Sequence, residues 1–108
     1  MSGSPISDVT RLDVLGERVD GGLDMEIVAE GPVDGSAETL MRVEQKVRNY
    51  LREALTRSFQ EEFKIQRLDQ ITIHFASKFP VDIAVMGLLS SLAGEAEAAG
   101  IKLVIQRY

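Results

Sequence analysis

The chain has 108 residues, 44% of them hydrophobic and 27% charged, with a formal net charge of −5, one histidine and no cysteine. That length fits one core of ordinary domain size. The missing cysteines exclude disulfides, thiolate catalysis and cysteine-based zinc sites, and the lone histidine excludes any site needing two imidazoles.

No apolar run reaches the roughly 20 residues of a membrane helix, and the start, MSGSPISDV, lacks the basic-then-apolar pattern of a secretion signal. A cytoplasmic protein without a membrane partner is expected. The charge is unevenly spread. Residues 1–38 hold nine acids against Arg11 and Arg18 (net −7), residues 39–60 five bases against Glu44 and Glu53 (net +3), and the remainder has a net of −1. The acidic first third would repel a polyanion, so nucleic acid is not an expected partner.

Residues 1–8 are small and polar around Pro5 and are expected to be a flexible N-terminus, leaving a single domain over 9–108. VTRLDVL and LDMEIVAE are expected to form a hairpin turning at Asp20-Gly21-Gly22, residues that tolerate positive φ. In the second of these strands Leu23, Met25, Ile27 and Ala29 alternate with Asp24, Glu26, Val28 and Glu30, the mark of a half-buried strand.

GPVDGS reads as a loop with Ser36 as an N-cap and Glu38 in the first helical turn. Over 37–58, Leu40, Val43, Val47, Tyr50, Leu51, Ala54, Leu55 and Phe59 recur at helical spacing. Glu38–Arg42, Glu44–Arg48 and Glu53–Arg57 are i,i+4 pairs on the other side, each with glutamate N-terminal and contributing roughly 0.3 kcal/mol. They account for the basic stretch as a salt-bridged outer face.

QEEFKIQRLDQ is a connector. ITIHFAS then reads as a strand with Ile71, Ile73 and Phe75 on one side and Thr72, His74 and Ala76 on the other. Pro80 and Asp82 suit the first turn of a helix over 81–98, which Gly100 ends, and IKLVIQRY alternates as a last strand. The order is β-β-α-β-α-β. It predicts a two-layer α/β sandwich, a mixed sheet of about four strands with both helices on one face. A three-layer arrangement is the alternative, and the charged side of Leu23–Glu30 argues against it.

The chemistry candidates are few. His74 is the only acid–base residue of note, and Asp82 and Lys78 are its nearest charged neighbours in sequence. A strand histidine without a positioned partner is expected to be structural. GPVDGSAET stands where phosphates bind but lacks a P-loop pattern and any lysine, and its acids do not have calcium-loop spacing. No serine elbow, His-x-x-x-His pair or paired-carboxylate motif is present. No catalytic residue, metal or cofactor is therefore assigned.

The last helix offers a contact surface instead. Val85, Leu88, Leu89, Leu92 and Ala96 make a core stripe, while Gly87, Ser90 or Ser91, Gly94 and Ala98 make a second, small one. Each helical glycine costs roughly 1 kcal/mol relative to alanine. Either the helix packs tightly on the first one, or Met86, Gly87, Ser90, Gly94 and Ala98 belong to a dimer contact widened by Ala93.

With ISDVTRLDVLG, VEQKVRNYL, a strand ending in KFP and the closing AAGIKLVI, the chain resembles a small bacterial family of uncharacterised domains, a resemblance that brings no activity with it. GLLSSLAGEAEAAGIKLVI is similar to the helix and following strand of STAS-type regulatory domains. That likeness implies a regulatory module, though PVDIAV stands where those regulators carry a phosphorylatable serine, and the long first helix departs from their order. The expected function is a non-enzymatic protein-interaction module whose partner is itself, as a homodimer, or another protein. The alternatives are a STAS-like regulatory or ligand-binding module, and an enzyme with a site assembled around His74.

Overall fold

A computed structural model describes residues 14–19 and 21–107. Four strands form one sheet in sequential order: β1 (Val14–Glu17), β2 (Leu23–Val28), β3 (Ile71–Ser77) and β4 (Lys102–Arg107). β1 runs antiparallel to β2, and β2, β3 and β4 are mutually parallel. The two crossovers carry α1 (Ala37–Ala54) with the short α2 (Arg57–Glu62), and α3 (Ile83–Ala98). α1 and α3 pack against each other in one layer. This is the expected two-layer sandwich with a mixed sheet. The part of the first strand expected over residues 9–13, the flexible segment 1–8 and the turn residue Asp20 lie outside the described residues.

The side-chain alternation read from the sequence builds the core. Leu23, Met25 and Ile27 of β2 and Ile71, Ile73 and Phe75 of β3 are at most 1% exposed and meet Val43, Val47, Tyr50 and Ala54 of α1 and Val85, Leu89, Leu92 and Ala96 of α3. Tyr50 keeps its phenol satisfied by donating to the Glu26 carbonyl at 2.8 Å. Lys46 was not expected in the interior, yet it is 2% exposed, its ammonium 5.7 Å from the Tyr50 ring centroid. Ala76, expected on the outer side with His74, is buried.

The first helix is shorter than the periodicity implied. It ends at Ala54, with Leu55 as its C-cap and 46% exposed. The cause is Thr56. Its hydroxyl donates to the Glu53 carbonyl at 2.7 Å and accepts from the Phe59 amide at 3.3 Å, capping a new helix in place of extending the old one. The break swings Phe59 into the core and pairs Arg57 forward with Glu61 at 3.3 Å, in place of the expected Glu53–Arg57 pair. Glu38–Arg42 and Glu44–Arg48 form as expected, at 3.4 and 3.0 Å.

The last helix starts two residues later than expected. The Asp82 carboxylate accepts from the Ala84 amide at 2.8 Å, which makes Asp82 the N-cap and leaves Pro80 outside the helix. Ser36 caps α1 as expected, its hydroxyl accepting from the Thr39 amide. Gly100 ends the last helix at φ 91°, the left-handed conformation for which glycine is suited.

The loops preceding α1 and α3 are zipped together beyond the sheet. Val33 bridges Val81, its amide donating to the Pro80 carbonyl at 2.9 Å and its carbonyl accepting from the Asp82 amide at 2.8 Å. Gly35 lies so close that an added Cβ would sit 2.7 Å from Asp82 Oδ1. Gly35→Ala should therefore push the carboxylate off the Ala84 amide and cost about 1 kcal/mol, the usual worth of a lost N-cap. Thermal unfolding beside Gly31→Ala, where a Cβ meets nothing within 4 Å, checks this. Equal melting of the two variants would refute it.

Candidate functional site

The helices cover one face of the sheet, and His74 lies on the other, over which no described element packs. β3 places it in register with Glu26 of β2 and Val104 of β4. Its partner is not Asp82, which is spent on capping α3. Instead, Nε2 meets Asp24 Oδ1 at 3.0 Å, across 50 residues of sequence. The same oxygen accepts from Arg18 Nη1 at 2.5 Å, and Arg18 Nη2 donates to the Gln70 carbonyl at 3.0 Å. Thr72 completes the group, its hydroxyl 3.4 Å from Arg18 Nη1. The side chains of Arg18, Asp24 and His74 are 30, 32 and 18% exposed.

The hairpin makes this possible. Arg18 sits at its turn, with its amide donating to the Gly22 carbonyl, and its side chain folds back over Gly22. A Cβ at residue 22 would overlap the guanidinium, so glycine there is the condition for the close approach. Arg18 and Asp24 were both missed as site residues. The available signal was alternation: Asp24 belongs to the charged side of its strand, as His74 does to the outer side of its own.

Electrostatically the group is tied up. Burial is the largest single influence on Asp24 and opposes its ionisation. Hydrogen bonds from His74 and Arg18, with the guanidinium charge, together outweigh it and hold the carboxyl below its usual 3.8. An ionised carboxylate only accepts, so His74 Nε2 donates to Asp24 and Nδ1 is the nitrogen that faces away from it. That Nδ1 is shielded from solvent and has no partner among the described residues. In an Asp–His pair built for proton transfer, the nitrogen facing away from the carboxylate does the chemistry. Here that nitrogen is the enclosed one.

The remaining candidates separate. Neither His74 nor Asp82 lines the hollows beside Arg18 and Lys64, beneath Phe79, or between α3 and β4. In the GPVDGS loop, Asp34 Oδ1 accepts from the Thr39 hydroxyl at 2.6 Å and the Ser36 hydroxyl at 2.7 Å, bonds that hold its carboxyl below 3.8. Its oxygen is engaged in ordering the helix start. PVDIAV, the stretch compared with the phosphorylatable segment of STAS-type regulators, supplies the Val81 bridge and the Asp82 cap. No group of three or more metal-ligating side chains gathers among the described residues, and no helix there is long and apolar enough to cross a membrane.

On α3, Gly87, Ser90, Gly94 and Ala98 are all exposed, and a Cβ on either glycine would meet nothing within 4 Å. Tight packing on α1 is therefore not what these glycines serve. The α1 contact lies round the helix, where Arg48 bonds Glu95 at 2.8 Å and lowers its pKa. Nothing among the described residues explains the two glycines. Met86 and Ala93 of the same helix are half-buried, and Ala93 lines a hollow of about 490 Å³ beside β4 together with Ile101, Leu103, Asp69 and Glu97.

Fold and cluster together define a two-layer α/β domain with a polar network on the sheet face away from the helices. In comparisons with known proteins, no family model matched the chain, and no curated protein or solved structure did either.

Proposed function

We propose that this is a non-enzymatic protein-interaction module whose partner is a second copy of the same chain. The observation that carries the reading is a margin that no described element covers, running from the Met86–Ser90–Ala93 flank of α3 to Leu103 of β4. It joins half-buried apolar side chains to a hollow at the end of the sheet whose floor is Ala93, Ile101 and Leu103 and whose rim carries Asp69, Glu97 and Lys102. Contiguous surface of this kind marks a contact site. The α3 flank from Met86 to Ala93 is free of charge, so the same patch meets itself without repulsion, as a two-fold contact requires. The strongest acid–base cluster encloses its reactive nitrogen, which weighs against turnover.

On α3 the margin runs only from Met86 to Ala93, about 12 Å at 1.5 Å per residue, so the contact is at the small end of specific interfaces. The dimer should be weak and concentration-dependent. Sedimentation or light scattering should find a dimer for the wild type and a monomer for Ser90→Arg, with unchanged melting of the dilute protein because Ser90 is exposed. A wild-type chain that stays monomeric at every concentration would remove the reading.

A further inference from the structure

We infer that the second copy docks strand to strand, β4 pairing antiparallel with the partner's β4 about a two-fold axis at Val104, so that the two sheets become one. This rests on the self-association reading and adds its geometry.

β4 ends the sheet, and no described strand lies beyond it. Its outward row of amides and carbonyls is thus open to pairing. Edge strands are normally blunted by proline, bulges or charges along their length. Leu103, Val104, Ile105 and Gln106 carry none of these, and the charges lie only at the ends, Lys102 and Arg107.

The side chains select a register. With the axis at Val104, Leu103 stands opposite the partner's Ile105 on the helix-facing side. Both residues already pack on the core, and the partner's Ile105 arrives at the hollow lined by Ala93 and Leu103. On the side away from the helices, Val104 meets itself and Lys102 stands opposite the partner's Gln106. Moving the axis to lie between Val104 and Ile105 would set Lys102 against the partner's Arg107, and like charges directly opposite one another destabilise a ladder.

The absence of native cysteine gives a direct test. Opposed residues of an antiparallel pair have Cα atoms roughly 4.5–5.5 Å apart, within the reach of a disulfide. Under mild oxidation Val104→Cys should cross-link to a dimer, while Leu15→Cys on the other edge of the sheet should not. A yield about tenfold higher at residue 104 is expected from thiols held at raised effective concentration. Equal yields at the two positions would overturn the inference, since both would then reflect random encounter. No cross-link at residue 104 in a chain that light scattering shows to be dimeric would overturn the strand pairing and leave self-association standing. A monomer by both measurements would overturn both.

Discussion

Phe75→Ala should cost about 3–5 kcal/mol, a large part of the roughly 5–15 kcal/mol that holds a domain folded. Phe75 is 0% exposed and lies on β3, which has strands on both sides. It is in register with Ile27 of β2 and Ile105 of β4, beneath the layer of α1 and α3. Removing the ring takes away its transfer free energy and leaves a cavity that three parallel strands and two helices cannot close without losing their own contacts. At about 4–8 °C per kcal/mol for a domain near this size, the melting temperature should fall by some tens of degrees. Phe79→Ala is the control. That ring is 38% exposed, and its loss should cost under about 1 kcal/mol. Comparable melting of the two variants in circular dichroism would mean that the core does not centre on β3.

The second large effect concerns the sheet face away from the helices. Asp24 anchors both Arg18 and His74, so Asp24→Ala breaks two charge-assisted bonds at once, and a cost of about 2 kcal/mol is expected. The third of its side chain left exposed keeps the figure from being larger. His74→Ala should cost about 1 kcal/mol, and the double variant should cost less than the sum of the two, since they share one interaction.

The pH dependence has a definite sign. Asp24 titrates lower in the folded chain than its usual 3.8, so its contribution is fully present above the unfolded value and disappears as pH falls through the folded one. The stability gap between wild type and Asp24→Asn should hold from neutrality down to about pH 4 and close below it. Urea titrations at several pH values measure this. A gap that stayed open well below that range would show that the Asp24 carboxylate does not carry the effect. A His74→Ala variant as stable as the wild type would undo the structural role given to the imidazole.

The sequence made the layers legible because period-two alternation in LDMEIV and ITIHFAS and period-3.6 alternation over 37–54 each reflect burial on one side. What escaped it were features made by single local bonds or by distant residues. Thr56 looked like one more polar position on a long helix, and only its bonds to Glu53 and Phe59 turn it into a cap. Asp82 read as a first-turn acid because an N-cap and a first-turn residue differ by one position. The partnership of His74 with Asp24 depends on β2 and β3 being neighbours in parallel register, and nothing near either residue announces that. Small residues on α3 were ambiguous for a different reason: spacing places them on one side of a helix without saying which way that side faces.

The parallel centre of the sheet also bears on how the chain folds. Leu23 on β2 pairs with Ile71 on β3 across 48 residues, whereas Thr72 on β3 pairs with Lys102 on β4 across 30. Neither contact is local, and the entropy of closing each loop must be met before pairing gives anything back. The shorter closure, with α3 docking on its two strands, is the natural nucleus. The β1–β2 hairpin then joins a surface already made. In that order the β3 edge facing β2 is paired last, so substitutions at the β2–β3 contact should speed unfolding more than they slow folding.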